Sequence, residues 1–446
     1  MNLPPSTDDI TFEPFLQELP EDFRELAYEF KALCRSRKIK TPEDLLQVVM
    51  SYCGLDASLR EVAGLFTLRE ERISDTAIHR RLQACVPWVK VLLGRLMSEG
   101  TECVQEGALR LVIVDGTTVQ SPGATGTEYR VHVSLDLVSG HLFHAVVTDE
   151  QVGEHLDHAP LQEGDVVVVD RGYNQVRMWI DQADRGVSVV ARYNPHGVRL
   201  YEADRDEALD IAQRLDEHPT HPLCLPVEVR DAQRRGYLKG FLHALPLPPD
   251  QAAMARRRTR AAAKHKGRQP QQRTLKLAGW VLIWTTLPPS LLPTATIMAL
   301  YRVRWPVELA IKRLKSILDL NQLRARKDSV LADLYLHGKL LYAWVVEKRL
   351  RRRPSHSAQR LDQPRRATPW RAWTLIHREL VAAISEVHRW SQERWAEALE
   401  VMQERPRRRA LQTVPERVRQ LIADCRAWGV SNISNSRSHF KSMIDL

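Results

Sequence analysis

The chain has 446 residues, 43% of them hydrophobic and 27% charged, which suits two to four domains of roughly 100 to 200 residues each and excludes wholesale disorder. Lysine and arginine number 65 against 55 acids, a formal charge of +10 that favours a polyanionic partner. No run approaches the roughly 18 apolar residues of a membrane span, the opening residues lack the regions of a signal peptide, and Cys34, Cys53, Cys85, Cys103, Cys224 and Cys425 form no C-x-x-C pair, so a cytoplasmic chain with reduced thiols, no membrane contact and no thiolate zinc site is expected.

The first 31 residues are acidic (Asp8, Asp9, Glu13, Glu18, Glu21, Asp22, Glu25, Glu29), after which the charge reverses sign. From Thr41 to about Gly100 apolar residues recur at three and four, as in Ile78, Leu82, Val86 and Val89, which predicts an all-helical segment. Within it Ser58 and Ser74 each cap a short helix, and the second presents His79, Arg80 and Arg81. The pair reads as a helix-turn-helix or as two ordinary packed helices, with equal weight.

At Leu109 the pattern changes. The apolar run to Val114 ends in Asp115, then alternation over Tyr129 to Asp136 and a run from Leu142 to Val147 predict antiparallel strands. A second run, Val166 to Val169, ends in Asp170; a helix to about Asp184 and a strand from Val187 to Ala191 follow, which is the order of an α/β sheet. Residues 194–293 are proline-rich, with strand-like pieces at Leu223 to Val229, Tyr237 to Leu245 and Leu275 to Thr286, and read as a β-rich insertion. Its middle, Arg256 to Lys276, has nine basic residues and no acid, and reads as a loop or as a strip that touches phosphates. Helices resume after Pro293, and tryptophans 370, 373, 390 and 395 mark a helical tail.

Asp115 and Asp170 each close a strongly apolar strand. Taken singly, such an acid is more often a turn or cap residue. Held together on neighbouring strands, two carboxylates repel and are best stabilised by a divalent cation. A third element is Tyr301-Arg-Val-Arg-Trp-Pro-Val-Glu-Leu-Ala-Ile-Lys-Arg-Leu-Lys. At roughly 100° per residue Tyr301, Arg304, Glu308 and Lys315 share one helix face, although Pro306 is expected to disturb the turn before Glu308. One acid among cations could complete a metal site while its neighbours hold phosphate oxygens; a solvated basic face is the plainer alternative.

The spacing of Tyr301, Arg304, Glu308 and Lys315 resembles the Y-R-E-K signature of DDE transposases of bacterial insertion sequences, in the branch founded by insertion sequence four. Asp115 in Val-Asp-Gly-Thr-Thr and Asp170 in Val-Asp-Arg-Gly-Tyr resemble that family's two aspartates in the right order, and the likeness spans about residues 55–350. The resemblance implies an α/β, ribonuclease-H-like catalytic core interrupted by a β-rich insertion, with helical N-terminal and C-terminal domains. It implies two Mg²⁺ ions on Asp115, Asp170 and Glu308, with Mn²⁺ as a substitute. It further implies DNA contacts by Tyr301, Arg304 and Lys315, with Arg171 and Tyr173 flanking the second aspartate. The expected domains are 1–105, helical and DNA-binding; 106–193 and 294–350, the two parts of the core; 194–293, the insertion; and 351–446, helical, with its tryptophans as a candidate dimer surface.

Some members of this branch cut through a hairpin with a flipped base stacked on an aromatic, for which Trp280 is a candidate and Trp284 its neighbour on the same strand face; core packing is the favoured reading of both. Arg256, Arg257, Arg258, Arg260, Lys264, Lys266 and Arg268 are candidate DNA contacts. Glu154-His-Leu-Asp-His158 is a weak transition-metal pattern, and neither a serine-hydrolase elbow nor a Walker motif is present. The expected function is a bacterial transposase that binds double-stranded DNA with terminal inverted repeats, cleaves at the ends and joins the 3′-hydroxyl to target DNA, as a homodimer in a synaptic complex. A catalytically idle DNA-binding derivative and a plain nuclease on the same fold stay open.

Overall fold

The computed structural model describes residues 10–102, 110–137, 139–203, 205–231, 236–302, 304–352 and 369–403. Cys103, Cys425, most of the basic run after Lys348 and the tail past residue 403 lie outside them. The helices are α1 (Glu13–Leu16), α2 (Phe23–Glu29), α3 (Pro42–Cys53), α4 (Leu59–Arg69), α5 (Asp75–Ala84), α6 (Val86–Glu102), α7 (Val176–Asp184), α8 (Ile211–Glu217), α9 (Pro249–His265), α10 (Gln272–Leu277), α11 (Thr294–Arg302), α12 (Trp305–Leu318), α13 (Val330–Arg352), α14 (Pro369–Ser385) and α15 (Trp395–Val401). The strands are β1 (Leu111–Val119), β2 (Tyr129–Asp136), β3 (His141–Asp149), β4 (Val166–Val169), β5 (Ser188–Arg192), β6 (Leu200–Glu202), β7 (Leu223–Arg230), β8 (Tyr237–Pro246) and β9 (Trp280–Thr285).

Local sequence sets several boundaries. Ser58 and Glu61 form a reciprocal cap that starts α4, and the Ser74 hydroxyl accepts the Ala77 N–H at the start of α5, so the two short helices form as read. A strand rich in β-branched residues whose alternate side chains are all apolar must be covered on both faces, and β4, Val-Val-Val-Val, is buried throughout.

The nine strands lie in one sheet ordered β3-β2-β1-β4-β5-β9-β8-β7-β6. β1 pairs antiparallel with β2 and parallel with β4, and β4 pairs parallel with β5. This order and polarity are consistent with a ribonuclease-H-like core. The insertion extends the same sheet: β9 returns antiparallel to β5, and β8, β7 and β6 continue outward. Its basic middle differs from the expected loop: Arg256 to His265 belong to α9, and the stretch taken as a strand from Leu275 begins as α10. An alanine-rich run opened by Pro249 has the propensity for helix, and charge alone does not unmake it.

One face of the sheet (Ile113, Val131, Val168, Val190) packs with α3, α6, α12, α13 and α14 in a continuous core. The other (Val112, Val167, Val189) meets α7 and α8. Trp373 belongs to the first core and donates its indole N–H to Glu347 at 3.1 Å, so this member of the expected dimer surface is interior; Trp395 is exposed. Among the described residues no helix is long and apolar enough to cross a membrane.

Candidate active site

Register brings the two aspartates together. Ile113 on β1 is paired with Val168 on β4, and Asp115 and Asp170 each lie two residues further along. With a period of two, both carboxylates point to the same side as Ile113 and Val168, on strands about 4.8 Å apart. That is the side on which α12 packs through Val307, Ala310 and Leu314, and its first turn supplies Glu308.

The helix carrying the third acid is broken where Pro306 predicts disturbance. Tyr301 lies in the last turn of α11, which ends at Arg302, and Arg304 stands as the N-cap of α12, so the single helix face drawn through Tyr301, Arg304 and Glu308 is replaced by two segments that meet over the sheet. Glu308 and Lys315 do share α12, seven residues and about two turns apart, and Lys315 is half-buried.

Arg304 lies among all three acids. Its Nη1 donates to Asp115 Oδ2 at 3.2 Å, its Nη2 lies 3.9 Å from Asp170 Oδ2, and the same nitrogen pairs closely with Glu308. The Tyr301 hydroxyl donates to Asp170 Oδ1 at 3.0 Å, and the guanidiniums of Arg304 and Arg192 lie 5.9 and 5.8 Å from the Tyr301 ring centre. Arg304 thus contacts carboxylates here, where a phosphate contact was expected.

The two aspartates titrate in opposite directions. Burial raises Asp115, assisted by the charges of Asp170 and Glu308, against the Gly116 N–H and Arg304. Burial also pushes Asp170 up, but the Arg171 backbone N–H, Arg304, Tyr301 and Arg192 outweigh it and hold that carboxyl below its ordinary value. Two nearby acids with divergent affinities for a proton are a mark of functional sites. Among the described residues no three His, Cys, Asp or Glu side chains are spaced to hold an ion as they stand, since the guanidinium lies between the acids. The donor set itself fits one: three carboxylates are hard oxygen ligands for Mg²⁺ or Mn²⁺, and they already surround a cation.

Of the other expected site residues, the Arg171 side chain is exposed, whereas Tyr173 is buried with its hydroxyl unpartnered. Trp280, at 8% exposure, packs with Leu282 and Trp284 in the second core, and Trp284 stacks on Trp179 with ring centres 4.5 Å apart. The core reading of both tryptophans holds, and the stacking surface proposed for Trp280 is not available in this conformation. Arg257, Arg258, Arg260, Lys264, Lys266 and Arg268 are exposed on and beyond α9, while Arg256 is half-buried and bonds the Leu275 carbonyl.

Sequence reading missed Arg192 and Trp305. Arg192 closes the apolar β5, one position past the Val169 to Ala191 pairing, and so lies level with Asp170. The rule that found the aspartates, a charged residue ending an apolar strand, would have found it. Trp305 is 60% exposed and helps line a cleft of about 270 Å³ with Arg192, Met298, Tyr301, Arg302 and Glu308.

The class of protein this fold and site point to is a DDE-type transposase, with three acids gathered from two parallel strands and a helix. Residues 106–344 match the family described as Transposase DDE domain, and the chain belongs to that family, among the DDE transposases of insertion sequence elements. It is 30% identical over 337 residues to the transposase for insertion sequence element IS421 of Escherichia coli, covering 74% of this chain and 90% of that one. It is 24% identical over 383 residues to the transposase for insertion sequence element IS231F of Bacillus thuringiensis subsp. israelensis, covering 74% and 78%. A cryo-EM structure of the piggyBac transposase synaptic complex with hairpin DNA aligns over 90% of this chain and 85% of that one, at 9% identity and a TM-score of 0.43, too low to bear on this chain.

Proposed function

We propose that this is the transposase of an insertion sequence in the Y-R-E-K branch, which binds terminal inverted repeats, cleaves DNA at the element's ends and joins the 3′-hydroxyl to target DNA. The observation that carries it is the convergence of Asp115, Asp170 and Glu308 on one cationic group, Arg304. Asp115, Asp170 and Glu308 would hold two Mg²⁺ ions, which when bound activate the attacking oxygen and stabilise the leaving 3′-oxygen.

The protein's own residues do the rest. Once the acids have another counter-charge, Arg304 is free to turn to the phosphate of the cleaved end, and Arg192, its Nε buried and unpartnered, flanks the same cleft. Tyr301 keeps Asp170 oriented and ionised by donating to it. Lys315 is assigned to the same DNA strand further along α12. The basic face of α9, with Lys266 and Arg268 beyond it, contributes phosphate contacts that carry no sequence information. Two ends must be joined, so the working form is a homodimer on DNA.

The test is cleavage of a plasmid bearing the gene's own flanking DNA, with Mg²⁺ or Mn²⁺ and with Ca²⁺ as control. The wild type is expected to cut at the element's ends and join them to a target, and Glu308→Ala to bind without cutting. Equal cutting by both removes Glu308 from the centre, binding without cutting by either supports an idle derivative, and cutting without joining supports a nuclease.

A further inference from the structure

A fourth carboxylate stands beside the triad, on the segment between β3 and β4. A Cβ added to Gly172 would meet Glu154 Oε2 at 1.5 Å and its Cδ at 2.7 Å, and one added to Gly116 would meet its Cγ at 3.6 Å and Oε1 at 3.7 Å. These glycines follow the two aspartates, Gly116 directly after Asp115 and Gly172 two residues after Asp170. Glu154 therefore fills a notch between the two chain turns that present the catalytic acids, and at residue 172 only glycine leaves that notch open.

The surroundings give this side chain no structural duty. It is half-buried, and among the described residues it accepts no hydrogen bond and forms no ion pair. Its oxygens reach solvent, so they are open to a cation. Tyr173, fully buried, has a hydroxyl with no partner, and the groups whose charges act on that phenol are Glu154, Asp115 and Arg304. A buried hydroxyl without a partner and an acid without a protein partner thus adjoin the same centre. Burial raises Glu154, and the charges of Asp115 and Asp170 add to this against Arg130, which puts it within electrostatic reach of both aspartates.

We propose that Glu154 is a fourth acid of this centre, an oxygen donor to the divalent cation held by Asp115 and Asp170, with the Tyr173 hydroxyl as its orienting neighbour. The proposal rests on the reading of Asp115, Asp170 and Glu308 as metal-holding acids. Two divalent ions carry four positive charges against three from those carboxylates, and Glu154 supplies the fourth negative charge from within the protein.

The test is Mn²⁺ binding to the full-length protein without DNA, read by the loss of the free-ion electron paramagnetic resonance signal. Glu154→Gln should weaken binding by roughly tenfold or more. Gly172→Ala should do the same with Glu154 still present, because the new methyl group takes its place, and it carries the test should the glutamine variant not fold by circular dichroism. Exposed Glu393→Gln should bind as the wild type does. Wild-type binding by both Glu154→Gln and Gly172→Ala, while Asp115→Asn loses the ion, overturns the role of Glu154 and leaves the triad standing. Unchanged binding in Asp115→Asn overturns the triad's metal role and this proposal with it.

Discussion

Arg304→Leu removes the cation on which three carboxylates converge. The contact with Asp115 matters most: the side chains are 12% and 19% exposed and 3.2 Å apart, and at an effective dielectric near 20 such a pair attracts by about 5 kcal/mol. Asp170 and Glu308 are 42% and 41% exposed, so solvent screening reduces each of their shares to about 1 kcal/mol or less. Returning a guanidinium to water offsets part of the total, and a net loss of about 3 kcal/mol is expected at neutral pH. The sign with pH follows from the acids. Asp115 is raised in the folded protein, so it carries a penalty at neutral pH that fades as the pH falls through its raised value. Asp170 is lowered, so its stabilisation is present above the ordinary aspartate value and disappears as the pH falls through its lowered one. Leucine removes the influence that lowers both aspartates, and the variant's deficit should be greatest at neutral pH and above and shrink as the pH falls and the aspartates take up protons. Mg²⁺ should shrink it as well, by replacing the missing cation. Urea denaturation midpoints of wild type and variant, across pH and with or without Mg²⁺, measure this. A deficit that neither pH nor Mg²⁺ changes would refute the account of Arg304 as counter-charge to the triad.

Arg257, Arg260 and Lys264 lie at i, i+3 and i+7 on the exposed face of α9; replacing all three with serine should weaken binding to any duplex and flatten the log-log salt dependence by about 2 to 3, measured by fluorescence anisotropy, and an unchanged slope would show that this face does not meet phosphates. Lys339, 0% exposed and 2.6 Å from Asp56, should cost about 3 kcal/mol when changed to Met, because Asp56 loses its buried cation and keeps only the more exposed Arg324 at 3.6 Å. Adding Asp56→Asn to that variant should restore most of the loss in a calorimetric melt, and no restoration would place the cost elsewhere.

The sequence displayed the acids because their chemistry is local: a valine run must be a buried strand, and an aspartate at its end must leave the core. It could not display Arg304 as the hub of the triad, since that depends on how α11 and α12 meet, and Pro306 announced a disturbance without giving its angle. The basic stretch from Arg256 reads as a loop or a strip that touches phosphates when charge is weighed above the alanines between the arginines, which favour the helix found there. Glu154 stood within a run read for transition metals, while its partners in space are Gly116 and Gly172, a proximity that no spacing along the chain encodes.

The return of β9 to pair with β5 gives the insertion a task apart from DNA. Without it, β5 would be an open edge, its unpaired amides exposed beside Asp170 and ready to recruit a stray strand. Strands β6 to β9 act as a seal on that edge. Shortening the insertion from its outer end, at β6 and β7, is then compatible with a closed core, whereas any deletion that takes β9 exposes the strand on which Arg192 and its neighbour Asp170 depend.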